Sequence, residues 1–184
     1  MKGKLVILVG PSASGKTQLL SELLKRVTDS VRLVTTTTRI PRPEESDGKD
    51  YFFVTREEFK KGIEDGNFIE HSEVYGNLYG ISKKTVGSFL EDHKYVFAVI
   101  DVQGAQKLKK MMPDCLTIFI RPGAIEDIKR RLESVRKDTP KEEMKRRIDT
   151  AMHELSLAPL FDVIVDNIDG HFDETVEMTL KAFI

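Results

Sequence analysis

Short apolar runs alternate along this chain with segments whose apolar residues recur at helical spacing. Four runs, KLVILV, YVFAVI, LTIFI and DVIV, are continuous, which is typical of strands buried on both faces of a parallel sheet. The helical segments, which have charged opposite faces, are Gln18–Arg26, Val102–Met111, Ile125–Arg136, Pro140–Leu157 and Phe172–Phe183. This alternation predicts a three-layer α/β/α fold with a parallel core sheet.

The stretch from residue 35 to residue 81 departs from this pattern, because its strand-like segments are short and separated by turn signals. These segments are Tyr51–Val54, Phe68–Val74 and Leu78–Ile81. Tyr75-Gly76-Asn77 is typical of a hairpin turn, and residues 55–58 (Thr-Arg-Glu-Glu) have the capping-box form that opens a helix. The stretch therefore predicts a small mixed or antiparallel subdomain inserted into the parallel core.

A third kind of segment, residues 134–145, is basic, has few apolar anchors and is interrupted by Pro140. This composition predicts a mobile lid. Since no repeat or linker divides the chain, we expect a single domain in three parts. These parts are a core (about 1–34, 82–133 and 158–184), an inserted subdomain (about 35–81) and a helical lid (about 134–157).

Composition and charge exclude several classes of protein. The 184 residues suit one compact domain, and 29 basic against 30 acidic side chains give no general attraction to nucleic acid or to an anionic membrane. The first apolar run, Leu5–Val9, is too short for a signal peptide or a membrane span, so we expect a cytoplasmic protein. Cys115 is the only cysteine, and the four histidines lack metal-ligand spacing.

The most specific chemical signal is a complete G-x-x-x-x-G-K-[ST] phosphate-binding loop (P-loop) between the first predicted strand and the helix Gln18–Arg26. Backbone N–H groups of such a loop converge on phosphate, its lysine reaches the β and γ oxygens, and its hydroxyl residue can ligate Mg²⁺. We therefore expect ATP to be bound by Gly10, Ser12, Ala13, Ser14, Gly15, Lys16 and Thr17. Thr17 is the candidate metal ligand.

A second phosphate site is suggested by two arginines. Arg39 and Arg42 are three residues apart and are stiffened by Pro41 and Pro43. Guanidinium forks match phosphate oxygens geometrically, so the pair suits a bidentate phosphate clamp. A solvated charged loop would have the same composition, and these residues alone leave both interpretations open.

Several blocks together resemble the guanylate kinase family in order and spacing. They are GPSASGKT, TTTTRIPRPEESDGKDYFFV, GNFIE, YGNLYGIS and IDVQGA, and the resemblance extends from Leu5 to about Asn167. It implies a parallel core, a nucleoside-monophosphate-binding region, a basic lid, and ATP-dependent phosphorylation of GMP with Mg²⁺. It also implies nucleotide partners only, without nucleic acid or membrane, in a monomer or homodimer.

The resemblance also implies roles for individual residues. The implied GMP-binding residues are Thr35, Arg39, Arg42, Glu45, Tyr51, Glu70, Tyr79 and Asp101. Glu70 corresponds to the acid that reads guanine, and a carboxylate can accept from both N1–H and N2–H₂ of that base. Asp101 corresponds to an acid near the base and the metal-bound phosphates, which makes it a second candidate metal ligand beside Thr17, although the cap of the following helix is an alternative role.

For the reaction itself, the resemblance implies four catalytic residues, Lys16, Arg39, Arg136 and Arg147, and an adenine contact at Asn167. The alignment needs one extra residue near Val135, so four neighbours could replace the two lid arginines. These neighbours are Arg130, Arg131, Lys145 and Arg146.

Three positions depart from the family pattern. Ile81 stands where the family usually has a hydroxyl residue that meets guanine O6, Val99 replaces a frequent acid, and Asp166 precedes Asn167. Two rival functions therefore stay open. One is a related kinase with another phosphorylated acceptor, such as a ribosyl bisphosphate, and the other is a non-catalytic module that binds a phosphorylated protein.

Overall fold

The computed structural model describes residues 3–135 and 140–184. The strands are β1 (Lys4–Val9), β2 (Ser30–Arg32), β3 (Thr35–Thr37), β4 (Tyr51–Phe53), β5 (Phe68–Val74), β6 (Asn77–Ser82), β7 (Tyr95–Val99), β8 (Leu116–Pro122) and β9 (Val163–Asn167). The helices are α1 (Lys16–Arg26), α2 (Arg56–Glu64), α3 (Lys83–Asp92), α4 (Val102–Met111), α5 (Ile125–Val135), α6 (Lys141–Ser156) and α7 (Phe172–Lys181). In the described part of the chain, no helix has the length and apolar character needed to cross a membrane.

The larger sheet has five strands in the order β2-β7-β1-β8-β9. Strand β2 pairs with β7, β1 with β8 and β8 with β9, and each of these pairs is parallel. Residues Val6–Val9 and Ile118–Ile120 are 0% exposed. The continuous apolar runs therefore form strands covered on both faces, and the predicted parallel core is confirmed.

The second sheet is mixed and has the order β4-β3-β6-β5. Strand β3 is parallel to β4, whereas β6 is antiparallel to both β3 and β5. Its β5–β6 hairpin turns at Tyr75 and Gly76, whose φ angles of 49° and 78° are both positive. Two successive positive φ angles are typical of a type I′ turn, so the turn signal in the sequence has a direct backbone cause.

The capping box in the sequence forms as predicted at the start of α2. The Thr55 hydroxyl accepts from the Glu58 N–H at 3.1 Å, and the Glu58 carboxylate accepts from the Thr55 N–H at 2.8 Å. One turn later, Phe59 is 1% exposed and stacks on Phe68 of β5 with ring centroids 4.4 Å apart. The box therefore fixes the helix that covers one face of the mixed sheet.

The chain forms two compact units. The P-loop unit comprises Val6–Thr28, Val99–Val102 and Leu116–Ile184. The mixed-sheet unit comprises Asp29–Ala98 and Gln103–Cys115, together with the start of the chain. The predicted inserted subdomain, residues 35–81, lies inside the mixed-sheet unit, and the three-part division expected from the sequence stays a prediction.

Some elements carry little sequence signal. Helix α3 was not expected, and it begins where the Ser82 hydroxyl accepts from the Thr85 N–H at 3.4 Å. Thr35–Thr37 was expected to follow a strand but forms β3 itself, paired on both sides. Helix α5 ends at Val135, and residues 136–139 of the predicted lid, including Arg136, lie outside the described residues.

Candidate active site

The P-loop, residues 10–17, connects β1 to α1 in the P-loop unit. Its backbone has positive φ angles at Gly10 (141°), Ala13 (63°) and Gly15 (91°). A Cβ atom on Gly10 would lie 2.5 Å from the Ile120 carbonyl oxygen, so this position has no room for a side chain. Alternation of right- and left-handed backbone turns successive N–H groups toward one centre, which is the geometry of an anion-binding nest.

Lys16 folds back over this loop. Its Nζ donates to the carbonyl oxygens of Gly10 at 2.8 Å and Pro11 at 2.7 Å, and lies 3.3 Å from the Ser14 Oγ. Burial lowers the pKa of Lys16 to about 8, although the carboxylates of Glu154 and Asp101 act in the opposite direction. The ammonium group is therefore held against the loop and only partly hydrated, so an anionic phosphate would stabilise its charged form.

Two carbonyl groups of the loop are bound by side chains that are distant in the sequence. The Asn167 amide donates to the Ser14 carbonyl oxygen at 2.8 Å, and the Arg131 guanidinium donates to the Ala13 carbonyl oxygen at 3.3 Å. Arg131 also donates to the Asn167 carbonyl oxygen at 3.2 Å and pairs with Asp169. Helix α5 and the end of β9 are therefore tied directly to the phosphate-binding loop.

Two acidic residues lie in the electrostatic field of Lys16. Asp101 follows β7, and Glu154 lies on α6. Burial raises the pKa of Glu154 from 4.5 to about 7, since the Lys16 charge only partly offsets the loss of water and Asp101 adds to the rise. Within the described residues, no three or more His, Cys, Asp or Glu side chains are grouped so as to hold a metal ion.

Arg147, one of the two predicted lid arginines, lies on α6 and is 8% exposed. Its Nε donates to the Glu143 carboxylate at 3.0 Å, one turn earlier on the same helix. Beside it, α5 and α6 pack through an apolar cluster of Ile128, Leu132 and Ala151. Ala13 of the P-loop packs against this cluster, so α5 and α6 contact the loop through apolar atoms as well.

Those predicted acceptor residues that belong to the strands of the mixed-sheet unit lie on one face of its sheet. Residues directly opposite one another on paired strands share a face, and side chains alternate along each strand. By the observed register, one face carries Thr35, Thr37, Tyr51, Phe53, Glu70, Ser72, Tyr79 and Ile81. The other face packs on α2, since a Cβ atom on Gly80 would lie 2.8 Å from both Phe59 and Phe68.

At the β4 edge of this face, Arg39 lies over the Tyr51 ring, with its guanidinium carbon 5.4 Å from the ring centroid. The same guanidinium donates to both carboxylate oxygens of Glu45, at 2.7 and 2.8 Å. Glu45 also accepts from the Arg42 N–H at 2.8 Å. Burial raises the pKa of Tyr51, which keeps its hydroxyl protonated and able to donate.

The pair of Arg39 and Glu45 shows how this arginine binds an anionic group. A carboxylate on an arginine fork has the planar two-oxygen geometry that a phosphate also offers. In this structure Nη2 of Arg39 binds the Glu45 carboxylate, while Nη1 donates to the Ile40 carbonyl oxygen at 2.8 Å. The side chains of Arg39 and Glu45 are only 17% and 12% exposed, whereas that of Arg42 is 48% exposed. The interpretations of a phosphate clamp and of a solvated charged loop therefore both stay open.

At the β5 edge, Glu70 is 5% exposed and lies directly opposite Ile81, which is 2% exposed. A bulge between Phe68 and Glu70 sets this register. Lys107 of α4 lies beside the acid, with its Nζ 3.9 Å from the Glu70 Oε1 and 2.9 Å from the His71 carbonyl oxygen. The buried carboxylate therefore has a cation on one side and an apolar neighbour on the other.

The sequence gives no signal for two of these groups, Lys107 and Glu154. Lys107 looks like any exposed helical lysine, and Glu154 looks like part of the polar face of α6, so neither carries a recognisable signal. Asp101 lies with Lys16 in the P-loop unit, whereas the other predicted GMP residues lie in the mixed-sheet unit. Asn167 is 4% exposed and its amide donates to the Ser14 carbonyl oxygen of the P-loop, and its predicted adenine contact stays a prediction.

The sequence is similar to guanylate kinases over nearly its whole length. The sequence model of the family described as guanylate kinase matches residues 2–184. A guanylate kinase of Thermotoga maritima is 40% identical over 182 residues, covering 98% of this chain and 86% of that protein. A guanylate kinase of Thiobacillus denitrificans is 43% identical over 176 residues, covering 95% of this chain and 82% of that protein.

Among solved structures, a guanylate kinase from Anaplasma phagocytophilum superimposes with a TM-score of 0.75. That chain is 30% identical, and the match covers 99% of this chain and 87% of that one. Sequence and backbone therefore agree over nearly the whole chain.

Proposed function

Because this chain belongs to the guanylate kinase family, we propose that it transfers the γ-phosphoryl group of ATP to GMP, giving ADP and GDP. The observation that carries the proposal is the single face of the mixed sheet, with Arg39 over Tyr51 at the β4 edge and Glu70 on β5. Three strand spacings separate β4 from β5, or about 14 Å. This span suits an extended nucleotide with its phosphate at one end and its base at the other.

The two ends of that face select different parts of the acceptor. Arg39, Arg42, Tyr51 and Tyr79 would hold the GMP phosphate, which would replace the Glu45 carboxylate on the Arg39 fork. An ionised Glu70 would accept from N1–H and N2–H₂ of guanine, whereas adenine offers no such pair of donors. The acceptor specificity would therefore depend on the buried carboxyl group of Glu70.

Catalysis would consist of positioning and charge neutralisation. The acceptor phosphate oxygen is already anionic, so no side chain has to act as a covalent nucleophile. Lys16 would leave the Gly10 and Pro11 carbonyl groups to bind the β and γ oxygens of the donor, and Arg147 with its neighbours would stabilise the transferring group. Exclusion of water would limit hydrolysis of ATP.

A magnesium ion fits the residues present at the donor site. Its ligands would be the Thr17 hydroxyl and the Asp101 carboxylate, both hard oxygen donors of the kind that Mg²⁺ prefers. Since the described residues hold no larger metal-binding cluster, phosphate oxygens and water would complete the coordination. When bound, the ion supplies positive charge to the donor phosphates.

The test is an ADP-release assay of the purified protein with a panel of acceptors: GMP, dGMP, AMP, CMP, UMP and ribose 1,5-bisphosphate. We expect turnover with GMP and dGMP and at least about a hundredfold lower kcat/KM with AMP, because AMP leaves the Glu70 acceptors unsatisfied. Preferential use of the ribosyl bisphosphate would contradict the proposal and favour the first rival function.

Substitution of the P-loop lysine separates the enzyme from a non-catalytic binding module. Lys16→Ala should lower kcat by about a thousandfold or more, because the lysine would stabilise charge on the donor phosphates. Binding of GMP, measured by calorimetry without ATP, should stay within about twofold of the unsubstituted protein. Near-normal turnover by the variant would show that the P-loop is not the donor site.

A further inference from the structure

The amide side chain of Asn167 binds the backbone of the P-loop. Asn167 ends β9, is 4% exposed, and donates from Nδ2 to the Ser14 carbonyl oxygen at 2.8 Å across a sequence separation of 153 residues. We propose that Asn167 is a positioning residue, which fixes the Ser14–Gly15 peptide so that its N–H is directed at the phosphates of the donor.

The geometry of the peptide group explains how this contact would act. In a trans peptide, the C=O and N–H groups point in opposite directions. When Asn167 binds the Ser14 C=O, the N–H of Gly15 therefore points away from Asn167. A peptide flip at this position would instead present a carbonyl oxygen to the phosphates, and the like partial charges would repel.

The second glycine of the motif is part of the same arrangement. A Cβ atom on Gly15 would lie 2.2 Å from the Asn167 Nδ2, and Gly15 has a φ of 91°. The close approach of the amide and the left-handed backbone therefore both require glycine here. The amide fills the space where a side chain would otherwise stand.

Asn167 is itself held by neighbours on two elements. Thr175 of α7, which is 1% exposed, donates to the Asp166 carbonyl oxygen at 2.9 Å and lies 3.4 Å from the Asn167 Oδ1. Arg131 donates to the Asn167 carbonyl oxygen at 3.2 Å and to the Ala13 carbonyl oxygen at 3.3 Å. The end of β9 is therefore fixed relative to two successive carbonyl groups of the loop.

A positioning role and an adenine contact make different predictions. A residue that reads adenine changes the affinity for ATP and leaves the affinity for inorganic tripolyphosphate unchanged. A residue that orients the loop changes the affinity for both by the same factor, because both ligands use the same N–H groups. The two roles can therefore be separated by binding measurements alone.

The experiment compares Asn167→Ala with the unsubstituted full-length chain. We expect the Kd values for ATP and for tripolyphosphate to rise by the same factor, about five- to tenfold, while the Kd for GMP stays unchanged. The KM for ATP should rise accordingly in the kinase assay, with kcat/KM lowered by about tenfold or more. A rise for ATP alone, or no rise for either donor ligand, would overturn the proposal.

A matched pair of substitutions on α7 controls for folding. Thr175→Val and Thr179→Val both remove a buried hydroxyl from the same helix, but Thr179 donates only within the helix, to the Thr175 carbonyl oxygen at 2.7 Å. Thr175→Val should raise the Kd of both donor ligands by about threefold, and Thr179→Val should leave both unchanged. Equal effects of the two variants would mean a general loss of stability and would contradict the proposal.

This inference rests on the proposed function only for the choice of ATP as donor. The binding measurements need no acceptor, so an enzyme that failed to phosphorylate GMP would disprove the proposed function and leave this test intact. Conversely, normal tripolyphosphate binding by Asn167→Ala in an active GMP kinase would reject the inference alone.

Discussion

Two glutamates, Glu70 and Glu154, differ in the groups that surround their carboxylates. Glu70 is buried and Glu154 is half-buried, and their neighbours differ. Glu70 has the ammonium group of Lys107 3.9 Å away, whereas burial raises the pKa of Glu154 to about 7. A carboxylate that reads guanine has to be ionised in order to accept from both base donors. Lys107 is the cation that lies beside Glu70.

Removal of that cation should weaken recognition of guanine. Lys107→Met should raise the KM for GMP by about threefold and leave kcat at saturating GMP nearly unchanged, because a half-exposed ion pair contributes modestly. Steady-state kinetics at pH 7 would measure the change. Lys110→Met, at an exposed lysine of the same helix, is the control, and equal effects of the two substitutions would contradict a role for Lys107.

Ile81 gives a second prediction at the residue scale. It faces the same side of the sheet as Glu70 and lies directly opposite it, so an apolar side chain lies beside the proposed base site. If this side chain leaves guanine O6 without a side-chain donor, Ile81→Ser should raise kcat/KM for GMP by roughly tenfold. Ile81→Val, which keeps the surface apolar, should not. A lower kcat/KM in the serine variant, after correction for the folded fraction, would show that the base is read differently.

At the scale of elements, local sequence signals fix the parts that support the acceptor face. The capping box at Thr55 starts α2, and α2 presents Phe59 to the Phe68 ring and to Gly80. The opposite face of the same strands carries Glu70, Tyr79 and Ile81. This short helix therefore supports the proposed binding surface from the opposite face of the sheet.

The capping box should contribute measurably to stability. Thr55→Ala should lower the free energy of unfolding by about 1 kcal/mol, or a Tm decrease of about 2–4 °C, because the Glu58 N–H loses its acceptor. Thermal unfolding followed by circular dichroism would measure it. Lys60→Ala, on the exposed surface of the same helix, should change Tm by less than half as much, and equal shifts would argue against the capping contact.

At the scale of the whole molecule, the buried charges of the P-loop unit make stability depend on pH. The pKa of Glu154 is raised from 4.5 to about 7 by burial, so the folded state binds its proton more tightly than the unfolded state does. The contribution of this group to stability is complete below about pH 4.5 and is lost as pH rises through 7. A glutamine at this position does not titrate.

Glu154→Gln should therefore become more stable relative to the unsubstituted chain as the pH rises from 4.5 to 7. For one proton, this relative gain is at most about 1.4 kcal/mol per pH unit. Urea unfolding at several pH values across that window would measure it. If the difference in stability between the variant and the unsubstituted chain is constant with pH, folding does not raise the pKa of Glu154.

The features that could be predicted from the sequence are those that depend on neighbouring residues or on simple periodicity. Continuous apolar runs marked the parallel strands, and the P-loop, the capping box and the Tyr75–Gly76 turn each have a local backbone cause. These features were predictable because propensity, capping and turn geometry act over a few residues. The resemblance to a family added candidate residues that the patterns alone left open.

The contacts between residues that are distant in the sequence could be seen only in the tertiary structure. Strand β3 has just three residues and is formed by its partners on both sides, and Lys107 reaches Glu70 only because α4 lies beside β5. The bond between Asn167 and Ser14 joins residues 153 positions apart and has no periodic signal at either end. Such contacts depend on strand register and on the packing of whole elements, which are set by the sum of many long-range interactions rather than by any local pattern.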